Sequence, residues 1–166
     1  MPIIDGMLQE LEQEAATTRR VLERVPNDHL TWRPHEKART LGELALHVAT
    51  VPGSVAELVA TKDTVQAPQF IDPQPKNASE LVPALDESIA KAKKVLAGMD
   101  DSTLNSTWRM MQGEREVFAI PRGAMLRSIM LNHWYHHRGQ LSVYLRELDV
   151  PIPSIYGPSA DENPFA

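Results

Sequence analysis

Four stretches of this chain repeat apolar residues every three or four positions, and helices packed side by side are the form that buries such stripes. The first covers roughly residues 3 to 24, where Met7, Leu8, Leu11, Ala15, Val21 and Leu22 are set among Glu, Gln and Arg; Pro26, Asn27 and Asp28 close it. The second begins at Thr40, whose spacing to Glu43 fits a capping box, and carries Leu41, Leu44, Val48, Val51, Val55 and Leu58. Pro52 and Gly53 fall inside it, so a kink or break is expected there. Another capping box, Asn77 with Glu80, opens the third, which holds Leu81, Leu85, Ile89, Ala92, Val95 and Leu96 and ends near Gly98. Residues 123 to 148 form the longest periodic segment and the fourth helix.

The connections are unequal. DHLTWRPHEKAR, with Trp32 and Pro34, reads as an irregular linker, and residues 62 to 78, rich in Pro, Gln and Asp, as a long crossover loop. Between residues 106 and 121, TWRMM and EVFAI flank QGER, a pattern that predicts a short hairpin or extended excursion before the last helix. The proline-rich tail, VPIPSIYGPSADENPF, should lie extended over the body. No repeat or second boundary interrupts residues 1–166. The expectation is a single all-α domain, a four-helix bundle with crossover connectivity and not simple up-and-down wiring.

Composition narrows the partners. A net charge of −5 provides no basic field, basic helix or aromatic platform for nucleic acid, which makes a DNA-binding role the least favoured. No apolar run approaches the roughly 20 residues of a membrane span, and the opening MPIIDGMLQELEQEA lacks the apolar region of a signal peptide, so a cytoplasmic protein is expected. Cysteine is absent, which leaves any metal with nitrogen or oxygen ligands only.

Three of the six histidines lie in LNHWYHHRGQL on the fourth helix. At about 100° per residue, Leu126, Met130, His133, His137, Leu141, Tyr144 and Leu148 share one stripe. Residues four apart on a helix are neighbours, so His133 and His137 can ligate one ion. His136 is turned toward the edge of the stripe. His47 is the histidine on another long helix and would supply a third imidazole, leaving one position open as catalytic zinc-type sites do. The spacing also recurs by chance, and a histidine on an apolar stripe is commonly a core residue bonded to backbone or water. Trp134 and Tyr144 read as packing residues, Arg138 as a solvated or ion-paired one, and His29 and His35 as surface residues in loops.

The run His133 to Leu141, H-x-x-H-H-R-G-Q-L, followed by Tyr144-Leu145-Arg146, resembles the DinB/YfiT-like superfamily of small metal-binding bundles. Trp32-Arg33-Pro34-His35, Leu41-Gly42-Glu43-Leu44 with His47, and the tail Tyr156 to Glu162 are similar to further elements of that family, in the same order. The resemblance implies a four-helix bundle, often paired as a homodimer, in which His47, His133 and His137 hold one divalent ion. It also implies a transferase that activates a low-molecular-weight thiol, such as bacillithiol or mycothiol, for attack on a small electrophile. A nitrogen-only set suits zinc or nickel, and also iron. Gln140, Arg138 and His136 stand within a turn of His137 and are candidates to orient a ligand or to serve behind the metal. The same site would serve a hydrolase, and a stress-associated bundle with a structural metal is the non-enzymatic alternative.

Overall fold

The chain folds around its second helix, in a computed structural model that describes residues 2–69 and 71–166. In chain order, α1 spans Ile3–Leu22, α2 Leu41–Thr61, β1 Thr64–Gln66, α3 Leu81–Leu96, α4 Asp101–Asn105, β2 Thr107–Gln112, β3 Arg115–Pro121, α5 Arg122–Met125 and α6 His133–Glu147. A π-helical stretch, Leu126–Asn132, joins α5 to α6 in one continuous rod. α2 packs against α3 on one side and α6 on the other, and α1 lies across α3 with lighter contact to the other two. Leu11, Leu44, Val48, Leu85, Trp134 and Leu141 form part of the shared core.

Both predicted capping boxes are present. Thr40 accepts from the Glu43 backbone while the Glu43 carboxylate accepts from the Thr40 N–H, at 3.1 and 2.7 Å. Asn77 and Glu80 make the second, ahead of α3. α2 is long and apolar enough by length and composition to cross a membrane, contrary to the expectation that no run reaches that length. Its apolar residues are instead the centre of this core: Leu41, Leu44, Ala45, Val48, Ala49 and Ala56 are all buried.

Pro52 does not break α2. Proline has no N–H for the carbonyl four residues back, which is that of Val48. The Trp134 indole N–H donates to that carbonyl at 2.8 Å, so a side chain of α6 supplies the missing donor. Next to it, the Gly53 N–H donates to Ser88 Oγ at 2.8 Å, and a Cβ on Gly53 would sit 2.6 Å from the Ser88 carbonyl. The Pro-Gly pair therefore marks close helix contact on both sides.

All-α is too narrow a description. The excursion before the last helix is a true hairpin, β2 against β3, turning at Gly113 with φ of 62°. Residues 64–66 of the predicted crossover loop pair parallel to β2 and complete a three-stranded mixed sheet, ordered β1-β2-β3. Three residues are too short for a periodic signal, and parallel pairing is fixed by the distant partner strand. Arg122 anchors this layer to the helices. Buried at 4% exposure, it donates to the Val59 and Lys62 carbonyls at the end of α2 and pairs with Asp63.

Candidate metal centre

The face that α6 turns to the core is set by the π-helical stretch before it. A π turn takes more residues than an α turn, so it delays the phase of everything that follows. Leu126 and Met130 consequently align with Trp134, Arg138 and Leu145, all buried, and not with His133. The buried stripe of this rod is rotated from the one that uniform α periodicity predicts. The histidines stand on its flank facing α2, His137 buried and His133 half-buried.

On that flank three imidazoles meet. Ring centroids lie 4.6 Å apart for His47 and His137, 5.3 Å for His47 and His133, and 4.3 Å for His133 and His137. One ring nitrogen from each falls within 4.8 Å of the other two, which brings together a group that could hold a metal ion. Registry comes from the Trp134 bond to Val48, since each partner is the immediate neighbour of a histidine, His133 and His47.

Hydrogen bonding assigns the rings. His137 Nδ1 is 2.6 Å from Gln140 Oε1, which only accepts, so Nδ1 carries the proton and Nε2 offers its lone pair to the cluster. His133 Nε2 lies 2.9 Å from His137 Nε2. Two buried ring nitrogens, Nε2 of His47 and Nδ1 of His133, have no partner among the described residues. Such an orphan costs about 1–3 kcal/mol, and coordination to a cation would answer that of His47, while His133 meets His137 through its other nitrogen. The donor set, three nitrogens and no thiolate, fits zinc, nickel or iron.

Electrostatics favour the ligand form. Burial, followed by the Arg39 charge and the neighbouring rings, holds His47 at about 4. Burial likewise pushes His137 down to about 4, against the opposing bond to Gln140, and lowers His133. All three are neutral at neutral pH, the state a metal needs.

The other sequence candidates separate clearly. Gln140 holds the His137 ring. His136 is exposed, its ring 5.0 Å from that of His137. Arg138, read from sequence as solvated or ion-paired, is 1% exposed and turned to the opposite flank, where it pairs with Glu14 at 2.6 Å. Tyr144 donates to the Arg39 carbonyl at 3.3 Å and meets Trp32 edge to face. Two residues near the site carried no sequence signal. Arg39 Nε is 2.8 Å from Asp72 Oδ2, and Asp72 Oδ1 is 3.8 Å from His47 Nδ1. They come from separate loops, and only the fold brings them together.

Comparison with known proteins identifies the family and the fold. The sequence model of the DinB family matches residues 3–163. The uncharacterised protein YrdA of Bacillus subtilis (strain 168) is 28% identical over 160 residues, spanning 96% of this chain and 91% of that protein. A DinB-like protein from Bacillus cereus ATCC 10987 superposes with a TM-score of 0.69 at 24% identity, over 92% of this chain and 97% of that one. The DinB-like protein YjoA of Bacillus subtilis gives 0.65 at 20% identity, over 87% and 92%. At these identities the two structures establish a shared fold.

Proposed function

This chain belongs to the DinB family, and we propose that it is a metal-dependent transferase that activates a small thiol for attack on an electrophilic compound. His47, His133 and His137 would hold one divalent ion. The observation that carries the reading is the convergence of three neutral imidazoles from two helices, one ring nitrogen of each within 4.8 Å of the other two.

The chain's own residues prepare that point. Gln140 fixes the His137 tautomer, so Nε2 faces the cluster without rearrangement. Trp134 locks α6 to α2 beside the ligands and limits how far the histidines can drift apart. His47 and His133 are each half-buried, which leaves the cluster reachable from one side. A divalent ion bound only by neutral imidazoles keeps its full charge, and so lowers the pKa of a thiol that reaches it. The chain has no cysteine, so the thiol must come from a small molecule.

Elemental analysis of untagged, reconstituted protein should find one transition metal per chain. The loaded protein should then conjugate bacillithiol, mycothiol or glutathione to a chromogenic electrophile, and His137→Ala should abolish turnover. Turnover that persists without thiol would identify a hydrolase. A metal that raises the melting temperature while neither thiol nor electrophile binds would identify a structural role.

A further inference from the structure

The metal reading leaves unexplained why an arginine stands beside a cluster built to receive a cation. Arg39 ends the linker before α2, and its position is well fixed. Its carbonyl accepts from Tyr144. The next residue, Thr40, donates through Oγ1 to Gln74 Oε1 at 2.6 Å, and Gln74 Nε2 reaches the Leu30 carbonyl at 3.1 Å. Gly42 makes room for this, because a Cβ there would collide with Gln74 Nε2. Linker and crossover loop are thus stitched together at the start of α2, with Arg39 and Asp72 beside the stitch.

The guanidinium is close to the rings and incompletely engaged. Asp72 lies between it and His47, and the Arg39 charge acts on all three histidines. Although Asp72 Oδ2 is 2.8 Å away, Arg39 Nε is buried without an aligned acceptor among the described residues. Asp72 is also the acidic group that approaches the cluster, with Oδ1 3.8 Å from His47 Nδ1. With a 2+ ion on neutral ligands, one arginine and one aspartate, the site carries a net charge of about +2 and calls for an anion.

Resting on the metal reading, we propose that Arg39 is the anion-binding residue of this site, taking the carboxylate of a small thiol whose sulfur reaches the ion. A guanidinium forks onto a carboxylate through paired N–H donors. Asp72 holds Arg39 in place when no ligand is present and competes with the incoming carboxylate.

The test uses the full chain loaded with cobalt(II), whose charge-transfer absorption reports sulfur binding directly. Titration with 3-mercaptopropionate and with its uncharged analogue 3-mercapto-1-propanol gives two dissociation constants. The wild type should favour the carboxylate by about tenfold, the low end of what one charge-assisted bond supplies. Arg39→Gln should erase that preference with cobalt still at one per chain, and Arg39→Lys should keep part of it. Asp72→Asn should widen it. An equal preference in wild type and Arg39→Gln, both fully loaded, overturns the assignment of Arg39 and leaves the metal reading standing. Failure of the wild type to retain cobalt overturns both.

Discussion

His137 and Arg138 are consecutive residues on one helix, 7% and 1% exposed, yet they belong to opposite kinds of polar cluster. Arg138 is engaged through both terminal nitrogens. It pairs with Glu14, donates to Thr18 Oγ1 at 3.1 Å and to Tyr156 OH at 2.5 Å, and lies 5.3 and 5.1 Å from the ring centroids of Tyr135 and Tyr156. Tyr156 in turn donates to Glu14, so α1, α6 and the tail are bound by one closed network. On the other flank the histidine cluster leaves ring nitrogens unpaired. A buried polar group whose partners are all protein serves the fold, whereas one left short of partners is where a ligand belongs. The two flanks should therefore answer the same kind of substitution differently.

The largest contrast lies in metal retention. His137→Ala should cost more than the 10–100-fold in affinity typical of losing an outer partner, because it removes a ligand itself. Metal-free stability should change little, and competition with a chromogenic chelator measures the affinity. Arg138→Leu should do the reverse. Removing the guanidinium from half-buried Glu14, which keeps its bond from Tyr156, should cost about 1–3 kcal/mol of unfolding free energy, read by urea denaturation, while the folded fraction keeps its metal. If Arg138→Leu also strips the metal from folded protein, the two flanks are one unit and the distinction fails.

Acid offers a smaller lever. The unfolded chain takes up protons on His47 and His137 near pH 6.5, while the folded rings refuse them until about 4. Across that window the unfolded state binds more protons, so stability is full above pH 6.5 and is lost as pH falls toward 4. Thermal melts of the metal-free protein should show this decline, and His47→Phe or His137→Phe should flatten it.

The smallest predicted effect concerns registry. Trp134→Phe leaves the Val48 carbonyl without a donor and should cost about 1 kcal/mol, along with some metal affinity. Adding Pro52→Ala returns a backbone N–H to that carbonyl and should recover part of the stability. A double variant no better than Trp134→Phe would show that the indole contributes packing alone.

What was legible in the sequence was local. The capping boxes at Thr40 and Asn77 are three-residue patterns that act within one turn, and they appear as read. Spacing alone makes His133 and His137 neighbours on one turn. His47 needed the family resemblance, because no local pattern says which helix faces which. Of the two readings of Arg138, ion-paired holds and solvated does not, and the sequence could not choose because its partners Glu14 and Thr18 lie far away in the chain.

Composition and periodicity by themselves determined a helical chain with a hydrophobic core, nitrogen or oxygen as the donors open to any metal, and a histidine pair on the last helix. Tertiary structure alone decided the rest. The rescue of Pro52 by Trp134, the parallel strand at residues 64–66 and the placement of Arg39 and Asp72 beside His47 all depend on long-range contacts. The π-helical stretch that turned the histidines from the middle of the buried stripe to its flank belongs with them. Periodicity records what one segment needs to bury, while the partner that meets each need is supplied by another segment and is fixed only when the helices pack.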